Sequence, residues 1–401
     1  MHLYDTASRA VISFQPTGPR VGMYVCGITP YDAAHLGHAF TFHTFDVVTR
    51  RLRSLGHDVN AVRNITDVDD DMLRVARERG VDYRALGDEQ VERFNEDMAA
   101  LGLISVAAPR ASAHVAEMVD MVVRIQARGL AYAVDGWVFF DTRRFPAFGR
   151  LCRLGPQEMR LLSAQRGADP DDPRKRDPLD FVLWQRSLPG EPSWPSPWGD
   201  GRPGWHIECS VLSTGELGAP IDLHGGGDDL IYPHHEAEIA QAEAAGVRPF
   251  VRHWLHVSHV MYEGEKMSKS LGNLVFTRDL LKEVPAATVR ILLSAHHYRS
   301  SWSFDREELR LAEARRVSYE VALARGGTSR GDGRRIAFLE RLDDDLDTPG
   351  ALRVLDEMAA AVTGGASTPS QVPGSETGGD SLGEMLDLIG AASPSSVTDA
   401  A

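Results

Sequence analysis

Between Val21 and Val25 the chain is almost wholly apolar, which predicts a buried strand running into a turn at Cys26. From Leu36 to Leu55 the apolar positions change to a three-to-four-residue spacing, predicting a helix that Gly56 stops. Val59 to Val62 reads as a second strand, ending at Arg63-Asn64-Ile65-Thr66-Asp67. Strand, helix and strand at this spacing form a βαβ unit and imply a parallel sheet. Functional residues are then expected beyond the strand C-terminal ends, where Cys26 to Thr29 and Asn64 to Thr66 fall.

The pattern changes near residue 100. A helix is expected from Val115 to Arg128, a strand over Trp137-Val138-Phe139-Phe140, and a proline-rich polar stretch over Asp169 to Arg176. Apolar character returns from Leu179 to Trp184, and Gly199 to Gly204 reads as a series of tight turns leading into Trp205-His206-Ile207-Glu208-Cys209. Leu309 to Arg325 and Arg334 to Val362 read as helices. Gly364 to Gly379 has the composition of a flexible linker, and a short helix from Leu382 to Ile389 precedes a polar tail. The division expected is 1–100 and 199–275 as two halves of one catalytic domain, 101–198 as an inserted subdomain, 276–310 as a stem-contact region, and 311–401 as a C-terminal helical bundle with its tail.

Composition narrows the class. The 401 residues are enough for a large core, and 43% hydrophobic with 25% charged residues is ordinary for a globular protein. No apolar run approaches the roughly 18 residues of a membrane span, and no basic region precedes an apolar N-terminal stretch, so a cytoplasmic protein without membrane contact is expected. The net charge of −14 argues against a broad nonspecific nucleic-acid surface. Three cysteines, Cys26, Cys152 and Cys209, are too few and odd in number for a disulfide framework. Cys152 sits in a plain stretch and reads as structural.

Two short motifs carry candidate phosphate chemistry. His35-Leu36-Gly37-His38 opens the first helix, and residues at i and i+3 share a helix face, so both imidazoles can reach one phosphate beside the N-terminal N–H groups. Gly37 leaves room for a nucleotide against the backbone. Lys266-Met267-Ser268-Lys269-Ser270 places two cations on one polar loop, suited to a triphosphate and a leaving pyrophosphate. A third constellation, Cys26, Cys209 and His234 with Glu238 as an optional fourth member, has the donor types of a zinc site with one open position. Its spacing alone leaves open a set of buried thiols and a core histidine.

In this order the two motifs are the signatures of class I aminoacyl-tRNA synthetases, which the chain resembles. Tyr24-Val25-Cys26-Gly27, Gly204 to Cys209, and Gly225 to Glu236 are similar to the cysteine-activating branch of that family. The resemblance implies an α/β fold: a Rossmann-like parallel-sheet catalytic domain with an inserted subdomain and a C-terminal helical domain. It implies one Zn²⁺ per chain on Cys26, Cys209 and His234, binding the substrate thiolate. It also implies ATP carried with Mg²⁺, L-cysteine as substrate, and a monomer. His35, His38, Lys266 and Lys269 are then the catalytic set. Cys26, Gly27, Ile28, Thr29, Thr41, Asn64, Ile65, Thr66, Trp205, Gly227, Asp228, Asp229 and Val260 match substrate-binding positions. Two branches share this chemistry. One transfers cysteine to the amine of 1D-myo-inositol 2-amino-2-deoxy-α-D-glucopyranoside in mycothiol biosynthesis, the other to tRNA. Cys26 to Ala33, Phe40-Thr41, Gln165-Arg166-Gly167-Ala168-Asp169-Pro170 and the short extent beyond Asp344-Asp345-Leu346-Asp347-Thr348-Pro349 resemble the first. His234 to Gln241 with Glu238, Lys269 to Asn273, and Leu223-His224-Gly225 resemble the second. The aminosugar acceptor is the expectation, with tRNA as the alternative.

Overall fold

The computed structural model describes residues 1–267, 272–325, 333–364 and 381–392. Its centre is a four-stranded parallel sheet in the order Trp254–Val257, Leu223–Gly227, Arg20–Ile28, Asp58–Ile65. Parallel neighbours need crossovers, and helices supply them: Leu36–Ser54 joins Arg20–Ile28 to Asp58–Ile65, and Glu236–Ala244 joins Leu223–Gly227 to Trp254–Val257. The two units wind outward in opposite directions, so a switch point opens between the C-terminal ends of Arg20–Ile28 and Leu223–Gly227.

Alternation along Arg20–Ile28 sorts its side chains between two layers. Met23 and Val25 join the largest core beneath the helix Leu36–Ser54. Tyr24 and Cys26 face the other way, against Cys209, Leu212, Ile239 and Trp254. Cys26 lies inside the strand rather than at a turn, because pairing with Asp58–Ile65 resumes at Ile28 and Ile65 after a register shift. The first helix matches the expected span and ends before Gly56, whose φ of +89° suits a residue without Cβ.

An antiparallel sheet is inserted between the halves: Ala131–Val134, Trp137–Phe140, Phe181–Arg186 and Gly201–Pro203. The turn series expected at Gly199 to Gly204 is therefore corrected to include an edge strand. A Cβ at Gly201 would stand 2.3 Å from the Gln185 carbonyl oxygen, and one at Gly204 2.2 Å from that of Val182. These glycines serve close strand approach, which the sequence pattern does not distinguish from a turn. The helix Trp205–Leu217 follows directly.

Beyond the sheet, helices Ala286–Ser294, Arg306–Ala324, Arg334–Asp343, Thr348–Thr363 and Ser381–Leu388 pack together. The reading of 334–362 as helix breaks between Asp343 and Thr348. There Asp345 and Leu346 take positive φ, and Asp345 accepts the Tyr4 N–H at 2.8 Å and the Arg299 Nε–H at 2.6 Å. A long-range carboxylate contact overrides local helix propensity. Arg290, fully buried, binds Asp46 of the first helix and the Ile389 carbonyl, tying that helix to the bundle. The proposed linker over 364–379 falls outside the described residues apart from Gly364. Among the described residues no helix is long and apolar enough to cross a membrane.

Candidate active site

At the switch point a cavity of 230 Å³ gathers Cys26, His35, His38, Thr41, Gly227, Asp229 and Val260. His35 caps the first helix: its Nδ1 accepts the Gly37 N–H at 3.1 Å, while the His38 ring accepts from the His35 N–H at 3.5 Å. The two imidazoles stack with centroids 3.9 Å apart, so the capping that satisfies the helix end also fixes both rings at the cavity wall. Thr41 donates its hydroxyl to the Gly37 carbonyl at 3.2 Å.

Across the sheet, Asn64 joins the two strand ends. Its Oδ1 accepts the Gly27 N–H at 2.7 Å and its Nδ2 donates to Thr66 Oγ1 at 2.9 Å. A Cβ on Gly27 would lie 1.8 Å from the Asn64 carbonyl, so only glycine permits this approach. Ile28 and Ile65 pair in register, and the Thr66 N–H bonds the Ile28 carbonyl, bringing Thr29 and Thr66 to neighbouring strand ends. Trp205 opens its helix with its indole stacked 4.3 Å from the His234 ring.

On the opposite face, Cys26, Cys209, His234 and Glu238 bring one donor atom each within 4.8 Å of one another, all buried. The two sulfurs stand 3.7 Å apart, Cys26 Sγ lies 3.6 Å from Glu238 Oε1, and His234 Nε2 lies 3.3 Å from the same oxygen. A second group, Cys26, His224, His235 and Glu238, overlaps it. Burial drives every member towards its neutral form. The Cys26 thiol and the Glu238 carboxyl are held well above their ordinary values, and the His224, His234 and His235 imidazoles well below theirs. A cation in the cluster reverses that balance by stabilising thiolate and carboxylate.

Not every expected residue joins these groups. Asp228 does not itself line the 230 Å³ cavity but pairs with His259, which does. Lys266 ends the short strand Glu265–Lys266, paired with Met261, and Lys269 lies outside the described residues. The sequence reading missed His224 and His256 as companions of the cluster. His256 Nε2 lies 2.7 Å from His235 Nδ1, and His235 Nε2 lies 3.2 Å from Cys26 Sγ. The signal was present as histidines in two apolar strands, but their adjacency depends on the pairing of Trp254 with His224.

The family profile for the tRNA synthetases class I (C) catalytic domain matches residues 13–314. The chain belongs to that family. An L-cysteine:1D-myo-inositol 2-amino-2-deoxy-alpha-D-glucopyranoside ligase from Thermobispora bispora is 46% identical over 377 residues, covering 93% of each chain. A cysteine--tRNA ligase from Cronobacter sakazakii is 45% identical over 369 residues, covering 90% of this chain and 79% of the relative. The solved Mycobacterium tuberculosis methionyl-tRNA synthetase in complex with methionyl-adenylate superposes with a TM-score of 0.63 at 17% identity, over 92% of this chain and 89% of that one. This likeness shows the class I synthetase fold. The first signature, His35 to His38, stands at the carboxyl ends of the parallel sheet, and Met267 lines the same cavity.

Proposed function

We infer that this protein activates L-cysteine with ATP to cysteinyl-adenylate. It then transfers the cysteinyl group to the amine of 1D-myo-inositol 2-amino-2-deoxy-α-D-glucopyranoside, releasing pyrophosphate and AMP. The observation that carries the activation step is the spacing within the buried cluster. Two thiolates bound tetrahedrally to zinc at about 2.3 Å stand about 3.8 Å apart, and a nitrogen–oxygen ligand pair about 3.4 Å. The corresponding separations here are 3.7 Å and 3.3 Å. Of the two overlapping groups, the one with both thiols fits the softer metal better. Cys26, Cys209 and His234 would hold zinc, with Glu238 at the fourth position. Zinc, when bound, holds the substrate thiolate and favours sulfur over the hydroxyl of serine, a choice that pocket size supplies poorly.

The remaining roles belong to side chains of the chain itself. Trp205 closes the amino-acid pocket above His234, with Thr29, Thr66 and Asn64 at its rim. Asp229 accepts from ribose hydroxyls, and Gly227 and Val260 lie along the nucleoside. His35 and His38, beside the helix N-terminal N–H groups, donate to the phosphates as charge builds on the α-phosphoryl oxygens. Lys266 and Lys269 neutralise the departing pyrophosphate, and Mg²⁺ enters with ATP. This is positioning and charge stabilisation without a covalent enzyme intermediate. The protein acts as a cytoplasmic monomer, with the domain division given above.

The acceptor rests on the aminosugar ligases among the relatives and on Arg166. This residue, within the segment Gln165 to Pro170 that resembles those ligases, donates to the carbonyls of Asp229 and Tyr232. Glu238 favours the second reading, tRNA, because an acidic residue at that place resembles the tRNA enzymes. Purified protein with ATP and cysteine, offered either glucosaminyl-inositol or tRNA for cysteine, separates the two. Product with the aminosugar alone is expected, by mass spectrometry. Charging of tRNA alone overturns the acceptor and leaves the activation chemistry standing.

A further inference from the structure

A second cavity, of 310 Å³, opens at the same end of the sheet and takes neither ATP nor cysteine in the reading above. Its walls include Tyr4 and Arg9 of the hairpin formed by the strands His2–Asp5 and Ala10–Ser13, with Asp228, His256, Ser258 and Arg299. Three contacts fix its place. Ser258 lines both this chamber and the nucleotide cavity. Asp228 faces this chamber while its neighbour Asp229 faces the nucleotide. His256, in the wall, hydrogen-bonds His235, which touches Cys26. The chamber therefore lies one peptide from the ribose-facing carboxylate and one imidazole pair behind the thiol cluster. A second substrate has to approach beside the bound nucleotide, and this chamber shares the Ser258 wall with the nucleotide cavity.

Its lining is polar and varied. Arg9 donates to the Cys152 carbonyl at 3.1 Å and forms no ion pair among the described residues, leaving its charge directed at the chamber. The Arg299 guanidinium is held by Asp345 and lies 4.6 Å from the centre of the Tyr4 ring. His256 is locked by Thr6 on one ring nitrogen and His235 on the other. Donors on several sides, an aromatic surface and one carboxylate suit a molecule rich in hydroxyl groups that carries a single amine. The volume is at the small end of ligand pockets, about 300 to 1,000 Å³.

We propose that this chamber is the acceptor subsite. It takes the hydroxylated rings of an aminosugar, held by Arg9 and Tyr4, and directs the amine towards Asp228 at the border with the nucleotide cavity. The amine nitrogen bonds to the cysteinyl carbonyl carbon, the carbon–oxygen bond to AMP breaks with its electron pair on the phosphate, and the ammonium sheds two protons to solvent. The proposal rests on the ligase reading above.

The test uses the full-length protein and the exposed Arg9, whose replacement leaves the core intact. Wild type, Arg9→Met and Arg9→Glu are compared in cysteine-dependent ATP–pyrophosphate exchange and in ligation to glucosaminyl-inositol. Exchange is expected to be unchanged, while KM for the aminosugar rises at least about tenfold in Arg9→Met and further in Arg9→Glu, with kcat little altered. Equilibrium dialysis of labelled aminosugar against enzyme loaded with a non-hydrolysable cysteinyl-adenylate analogue is expected to show the same loss. An aminosugar KM and binding unmoved by both substitutions overturn the subsite while the ligase reading stands. A wild-type enzyme that charges tRNA and ignores the aminosugar overturns the acceptor reading, and this subsite with it.

Discussion

The nucleotide cavity and the thiol cluster meet at Cys26 yet are built differently. The nucleotide cavity is made mainly from contiguous segments: the capped start of the helix Leu36–Ser54, the Gly227 to Asp229 stretch, and the residues from Val257 to Val260. His35 and His38 remain partly exposed there. In the thiol cluster, four elements each give a ligand atom; Cys26 borders the cavity, while Cys209, His234 and Glu238 are at most 1% exposed. One region meets water and works through donors aimed at phosphate. The other excludes water, so its charge depends on what it binds.

The largest expected effect breaks the enclosed region alone. Cys209→Ser replaces one soft donor, and roughly a thousandfold loss of cysteine-dependent pyrophosphate exchange is expected, with loss of tightly bound zinc by inductively coupled plasma mass spectrometry. Removing metal from wild type with a chelator should give the same loss, restored by added zinc. Full exchange in the serine variant would sink the thiolate proposal.

A smaller effect tests the open region. His38→Asn should lower exchange by about a hundredfold, the scale of one lost charge-stabilising donor, while zinc content stays at one per chain. Zinc loss in this variant would mean that the two faces are coupled and that the contrast between them fails.

The smallest effect concerns a capping carboxyl outside both regions. Asp69 caps the helix Asp70–Arg79 just past Thr66, and burial lifts its carboxyl to about 6. Its folded value lies above the unfolded one, so the native state keeps a proton that the unfolded chain has released. Stability then falls as pH rises from about 4 to 6. Asp69→Asn keeps the acceptor for the Asp71 N–H and removes that slope. Urea midpoints at pH 4 and pH 7.5 should show the variant gaining about 1 kcal/mol on wild type at the higher pH. Parallel pH profiles would contradict the assignment.

Legibility in the sequence followed the same division. The first helix and its paired histidines were readable because capping and helical periodicity act within a few residues. The strand at Gly201–Pro203 was hidden because glycines needed for close backbone approach look like turn glycines. The interruption of the helical stretch at Asp345 was hidden as well, since its cause is a hydrogen bond to Tyr4. Lys269, half of the second signature, lies outside the described residues.

By itself the sequence determined the parallel α/β class, the nucleotide motifs and the choice of Cys26, Cys209, His234 and Glu238 as candidate donors. Short-range spacing and residue chemistry carry the fold class and the nucleotide motifs, while the four donors, far apart in sequence, were singled out by the resemblance to the cysteine-activating branch. Tertiary structure alone decided that, among 15 histidines, His224, His235 and His256 join the thiols, that Asp228 and Asp229 face different chambers, and that a second cavity adjoins the nucleotide. Each of these depends on which strands pair and in what register. That is settled by burial across the whole sheet, and no local stretch of sequence encodes it.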